Sequence, residues 1–124
     1  YDKFPVYYYG NHNSIEGSGD IFVEKDQFIN LDYELEIAAV IGKKGKNIKV
    51  ENADDYIMGY TIMNDFSARK IQKEEMKLSL GPAKGKDFLT TLGPCIVTKD
   101  EISDYLILNR LHAANKIDYS LEIQ

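Results

Sequence analysis

The stretch "LDYELEIAAV", residues 31–40, decides how the chain is read. Apolar and acidic residues alternate along it, and period-2 alternation is the mark of a half-buried β-strand. A strand over residues 33–41 puts Leu35, Ile37, Ala39 and Ile41 on one face, which we expect to be buried. Glu34 and Glu36 then share the other face. Residues i and i+2 of a strand have Cα atoms about 6.5–7 Å apart, so the two carboxylates aim into the same space. Like charges this close raise each other's pKa unless a cation intervenes. Two readings stand open: a wet face with both glutamates in water, or a site for a hard divalent ion, which prefers oxygen ligands.

Working outward, "MGYTIMND" reads as a second strand that ends at Asp65, just before a helix start. A side chain there projects from the end of a sheet. Asp65 is either a helix N-terminal cap or a third carboxylate for the same site. From Ser67, "SARKIQKEEMKL" has helical spacing, with Ala68, Ile71 and Met76 near one face and Lys70, Lys73, Glu74 and Lys77 on a wet one. "NADDYI" reads as a short helix capped by Asn52, and "GKKGKN" as a basic, solvated hairpin turn. Residues 20–25, "PCIVT", "LILNRLHA" and "IDYSLEI" read as further strands, and "GPAKGKD" as a loop. Strands dominate and two helices are short, so an α+β, mainly β, mixed fold is expected.

The 124 residues suit one domain, with 44% hydrophobic and 28% charged residues. Twenty acidic against fifteen basic residues give a net charge of -5, which argues against nucleic acid as a partner. No apolar run reaches the roughly 18 residues that span a bilayer, so no membrane partner is expected. Cys95 is the one cysteine, which excludes an internal disulfide and suits a reducing cytoplasm. The chain begins at Tyr1 and stops within a strand-like alternation, so we expect part of a larger domain.

Other chemistry finds little support. "GPAKGKD" lacks the glycine spacing and the Ser or Thr of a phosphate loop, although Lys86 is a cation in a Gly-flanked loop. Cys95, inside "GPCIVT", reads as a buried apolar thiol. His12 and His112 do not form a zinc spacing with it and read as ordinary surface or half-buried histidines.

Taken in order, "LDYELEIAAVIGKKGKNI", "ADDYIMGYTIMNDFSARKIQ" and "LGPAKGKDFLTTLGPCIVT" resemble the fumarylacetoacetate hydrolase family. "FPVYYYGNHNSIEGSGD" resembles the segment that precedes the metal-binding strand in that family. The likeness runs from Phe4 to Asp104. It implies that residues 1–124 are a partial catalytic domain of mixed β-sheets with short helices. It implies Glu34, Glu36, Asp65 and Thr90 as ligands of Mg²⁺ (or Mn²⁺ or Ca²⁺), Lys86 as a catalytic residue, and Tyr8 and Gln72 as substrate-binding residues. The implied activity is metal-dependent hydrolysis of a C–C bond in a 2,4-dioxo acid such as fumarylacetoacetate or an acylpyruvate. Isomerisation or decarboxylation by the same site, or an inactive fragment that self-associates, are the other readings. A homo-oligomer, a homodimer in the simplest case, and a role in aromatic-compound catabolism are implied with it. Lys70 stands where the family has Asp, and Met76 where fumarylacetoacetase has a substrate-contacting Tyr. The family's water-activating histidine falls upstream of Tyr1, and His12 does not occupy its position.

Overall fold

The computed structural model describes residues 7–103, together with the backbone of 107–113 and 116–122. The strands are β1 (Ile15–Glu16), β2 (Leu31–Asp32), β3 (Leu35–Ile41), β4 (Ile57–Asp65), β5 (Ser67–Ala68), β6 (Thr90–Leu92), β7 (Val97–Thr98), β8 (Ile107–Ala113) and β9 (Lys116–Glu122). The α-helices are α1 (Lys25–Phe28), α2 (Arg69–Glu75) and α3 (Lys99–Ile102), and 3₁₀ turns cover His12–Ser14, Val50–Tyr56 and Met76–Leu78. This is the mainly β, α+β architecture that the strand-rich pattern predicts.

The nine-residue strand β4 is the spine of a mixed sheet. Along one edge it pairs antiparallel with β3, Ile37 opposite Ile62 and Leu35 opposite Asn64. Along the other edge its C-terminal end pairs with β6 and its N-terminal part with β7, both antiparallel. β1 extends the sheet by pairing parallel with β6, Ile15 opposite Thr90. β2 and β5 form a small antiparallel pair, and β8 and β9 a hairpin. Gly59 allows the β4–β7 approach, since a Cβ there would run into the Val97 carbonyl.

The burial of β3 is the reverse of expectation. Leu35, Ile37 and Ile41 are 73%, 49% and 63% exposed, and cross-strand Ile62 is open with them. Ala38 and Val40, on the other face, are half-buried. Alternation shows which residues share a face but not which face is covered. Among the described residues, Thr61 is buried midway along β4, and the other buried side chains gather at its C-terminal end: Asp65, Ser67, Ala68, Lys86 and Leu89. Several of them are polar or charged, which marks a site more than a core.

Other boundaries also move. Residues 20–24 are irregular and Lys25 begins α1; the Glu24 N–H donates to Gln27 Oε1 at 2.8 Å, one half of a capping box, which starts a helix where Ile21, Phe22 and Val23 mimic a strand. β3 begins at Leu35, so Glu34 lies just before it, in the link from β2. The segment 50–56 is a 3₁₀ helix capped by Lys49, not Asn52, because the Asn52 N–H already donates to the Lys49 carbonyl. Ser67 and Ala68 are strand, not helix; the Ala68 N–H is taken by Gly85 O and the Arg69 N–H by Asn30 O. Met76 is 50% exposed, at the point where α2 gives way to the 3₁₀ turn Met76–Leu78. In "PCIVT" Val97 and Thr98 alone are strand, and Cys95 is exposed, its carbonyl held by Thr61 Oγ1 at 2.8 Å. β8 and β9 agree with their reading as strands. Phe4, Leu106 and Ile123, and the His112 side chain, lie outside the described residues.

Candidate metal centre

Glu34, Glu36 and Asp65 converge although they come from three separate positions in the chain. The Asp65 N–H donates to the Glu34 carbonyl at 3.0 Å, and the Glu34 N–H to Asn64 Oδ1 at 3.1 Å. These bonds lock the link before β3 against the end of β4. One carboxylate oxygen from each of the three acids lies within 4.8 Å of the others. Ligands around a hard divalent ion stand about 2.0–2.6 Å from it, so opposed oxygens lie about 4–5 Å apart. The donor set fits such an ion in both chemistry and span.

A buried lysine already sits among these acids. Lys86, 5% exposed, places Nζ 2.6 Å from Glu34 Oε2 and 3.2 Å from Asp65 Oδ2. Arg69 Nη1 takes the other Glu34 oxygen at 2.8 Å, while its Nε pairs with Asp32 at 2.8 Å. Burial pushes the Glu34 carboxyl up, but the bonds from Lys86 and Arg69 outweigh it and hold it below its ordinary value. Glu36 forms no ion pair among the described residues. Burial, then the charges of Asp65 and Glu34, raise its carboxyl. The centre therefore keeps one acid with an unmet demand for a cation. Asp65 does not cap a helix: α2 has Ala68 at its N-cap position, and Asp65 Oδ2 accepts from Lys86 and from the Tyr8 hydroxyl. Burial, then the bond to Asp65, lifts the Tyr8 hydroxyl above its ordinary range, so Tyr8 is a donor here and not a base.

The loop that carries Lys86 is built by a long-range contact. The Glu75 carboxylate accepts from three successive backbone N–H groups, Ala83 (3.2 Å), Lys84 (2.6 Å) and Gly85 (3.0 Å). Gly85 is required beneath them, because a Cβ would lie 2.8 Å from the Gln72 backbone. We expect Glu75→Ala to lose about 1.5–3 kcal/mol in urea unfolding, the range for hydrogen bonds to a charged group. An unchanged midpoint would contradict that role.

Tyr8, Glu36, Asp65, Lys86 and Thr90 line one open cavity of about 560 Å³, the size of a small-molecule site. Thr90 stands opposite Asp65 in the β4–β6 register. Gln72 is placed apart, on α2, where its Oε1 accepts from Arg69 at 3.0 Å. His12 is exposed, in keeping with its reading as a surface or half-buried histidine, and it also lines the same cavity. Arg69, Glu75 and Asn11 were missed as architects of the site; Arg69 sat in the quoted motif, but no local pattern marks its two acidic partners. A second cavity, about 310 Å³, lies on the other face of β4 and β6 and has no ionisable side chain in its lining. The acidic cavity is the chemical one.

A mixed sheet ends here in three convergent carboxylates, a buried lysine and an open cavity, a donor set of the kind that could hold a divalent ion. More particularly, the chain belongs to the fumarylacetoacetate hydrolase family: the family described as "Fumarylacetoacetate (FAA) hydrolase C-terminal" matches residues 1–122. The chain is 42% identical over 102 residues to an oxaloacetate tautomerase, fahd2, mitochondrial, of Xenopus laevis, covering 82% of this chain and 32% of that protein. It is 42% identical over 120 residues to the fumarylacetoacetase of Arabidopsis thaliana, covering 83% and 28%. Among solved structures, fumarylacetoacetate hydrolase from Exiguobacterium antarcticum is 38% identical with a TM-score of 0.59, over 71% of this chain and 31% of that one. Fumarylpyruvate hydrolase from Pseudomonas aeruginosa, in complex with Mn²⁺ and pyruvate, shares the fold at 23% identity and a TM-score of 0.68, over 82% and 46%. The chain spans about a third of the length of these curated relatives. Among the described residues, no helix is long and apolar enough to cross a membrane.

Proposed function

We propose that the protein carrying this chain is a divalent-metal enzyme that hydrolyses a C–C bond in a β-dicarbonyl acid, such as fumarylacetoacetate or a 2,4-dioxo acid of the acylpyruvate type. The convergence of Glu34, Glu36 and Asp65 beside Lys86 in one cavity carries this reading. Mg²⁺ or Mn²⁺ bound by these acids, with Thr90 beside them, would polarise the oxygens of a chelating β-dicarbonyl acid. Lys86 supplies a fixed ammonium where negative oxygen develops in the transition state, in a position from which water is largely excluded. Tyr8, whose one hydroxyl hydrogen goes to Asp65 Oδ2, would hold that carboxylate and place its ring in the cavity wall beside the bound acid. Gln72 is kept as a substrate-side residue on the resemblance alone. The open apolar face of β3 and β4 supports a homo-oligomer, and the lone exposed Cys95 is compatible with a cytoplasmic setting.

A second reading has its own support. Relatives named oxaloacetate tautomerases, from Xenopus laevis and Bacillus subtilis, are 42% and 38% identical. The same metal and lysine would then stabilise an enolate formed by taking a proton from carbon, the proton then being placed on oxygen, with every C–C bond left intact. The intact protein, assayed with Mg²⁺ or Mn²⁺ against fumarylacetoacetate, acylpyruvates, oxaloacetate and a hydroxymuconate, separates the two. Hydrolysis is expected to release pyruvate or acetoacetate in step with loss of the dicarbonyl absorbance. Keto–enol conversion with no carbon fragment released would assign the tautomerase reading. No change in any acid, in protein that binds metal, would remove both.

A further inference from the structure

We propose that His12 binds the end of the substrate remote from the metal, and that this end is a carboxylate. The inference rests on the dioxo-acid reading above. The lining of the cavity is divided. Glu36, Asp65, Lys86 and Thr90 come from the ends of β3, β4 and β6 and the loop between them, and serve the chelating head of the acid. His12 comes from a separate element, the 3₁₀ turn before β1.

That turn is fastened at both ends. Asn11 Nδ2 donates to Ser14 Oγ at 2.6 Å and across the cavity wall to the Asp87 carbonyl at 3.1 Å, one residue beyond Lys86. Asn11 Oδ1 accepts from the Asn13 N–H at 3.0 Å, which closes the turn around His12. Beyond it, Ile15 pairs with Thr90. The backbone that carries the exposed His12 ring is thereby tied to the Lys86 loop and to the strand of Thr90, which sets where the ring can reach a bound acid.

Charge identifies the ligand group. Lys86 and His12 are the basic side chains lining the cavity, and Lys86 is already engaged by Glu34 and Asp65. The His12 ring makes no hydrogen bond among the described residues. A second carboxylate in this acidic cavity is favoured where a basic donor receives it, and with Lys86 engaged His12 is the basic donor of the lining that remains, beside the hydroxyl of Tyr7. An acid with an alkyl terminus needs no such partner. His12 therefore selects dicarboxylic dioxo acids over monocarboxylic ones.

The test uses the intact protein with saturating Mg²⁺, as wild type, His12→Ala and His12→Gln. Each is assayed on an acylpyruvate ending in an alkyl group and on one whose acyl chain ends in a carboxylate. We expect His12→Ala to shift the ratio of the two kcat/KM values about tenfold against the dicarboxylic acid, the loss of one charge-assisted hydrogen bond. The shift should lie in KM, and His12→Gln, which keeps an N–H donor, should restore part of it. Calorimetric titration with Mg²⁺ reports separately on the folded metal centre of each variant. An unchanged ratio with normal metal titration overturns the inference, as does an equal loss of kcat on both acids. Wild type that titrates with Mg²⁺ but processes neither acid also overturns it while leaving the metal centre standing. Wild type that neither titrates nor turns over removes the dioxo-acid reading and the inference together.

Discussion

Replacing Lys86 with methionine is expected to destabilise the metal-free protein by about 3 kcal/mol at neutral pH, the low end for removing one partner of a buried ion pair. The low end applies because Glu34 keeps Arg69 and is partly open to solvent. Methionine fills the volume of the lysine stem but leaves Asp65 and one Glu34 oxygen facing Glu36 with no ammonium between them. Two further results follow from the sign of the charge. The deficit should shrink as pH falls through the carboxylate range, because protonating the acids removes their repulsion. Added Mg²⁺ should raise the unfolding temperature of Lys86→Met by more than that of wild type, since a ligand stabilises the state that binds it and the variant has the greater need for a cation. Turnover should nevertheless fall about a hundredfold or more, the usual loss when a fixed donor to a developing oxyanion is removed. A variant as stable as wild type at neutral pH, or one whose stability does not respond to Mg²⁺, would show that Lys86 does not hold the carboxylates together.

Glu36→Gln should act in the opposite direction on stability. The Glu36 carboxyl is raised by burial and then by Asp65 and Glu34, so the folded protein holds this proton more tightly than the unfolded chain does. Its contribution to stability is therefore present at low pH and is lost as pH climbs above the ordinary glutamate value of about 4.3. Glutamine is uncharged and nearly isosteric. In the absence of metal and at neutral pH, Glu36→Gln is expected to unfold at a higher urea concentration than wild type, with the difference vanishing in acid. Glu34 behaves oppositely: its carboxyl is lowered, so it stabilises at neutral pH and loses that effect as pH falls through its folded value. Comparing wild type with Glu36→Gln across pH isolates the first effect from the second. In Mg²⁺ the order should reverse, with wild type the more stable. A glutamine variant less stable than wild type without metal would contradict the electrostatic account of the site.

Much of this arrangement is legible in the residues. The alternation around Glu34 and Glu36, and the run from Met58 to Asp65, mark the two strands that bring three acids to one end of a sheet. What period-2 alternation could not reveal is which face is covered, and Leu35 and Ile37 proved to be the open one. Contacts made across long separations were also invisible. Glu75 looks like one more charge on a wet helix, yet it holds three N–H groups of the Lys86 loop. Asn11 looks like a turn residue, yet it reaches Asp87 and carries His12 into the cavity. Ile21, Phe22 and Val23 have the composition of a strand but pair with no strand among the described residues, and the capping of the following turn prevails. Cys95 sits in an apolar run whose proline and side-chain-tethered carbonyl leave it exposed.

The most direct test of the central claim is calorimetric titration of the protein with Mg²⁺ and with Mn²⁺, alongside Glu36→Ala. Loss of a residue that merely orients a metal ligand costs about 10–100-fold in affinity, so loss of a ligand itself should cost at least about a hundredfold. The account predicts one saturable site in wild type and no measurable site in a folded Glu36→Ala protein. Equal affinities in the two, or no binding by folded wild type, would contradict it.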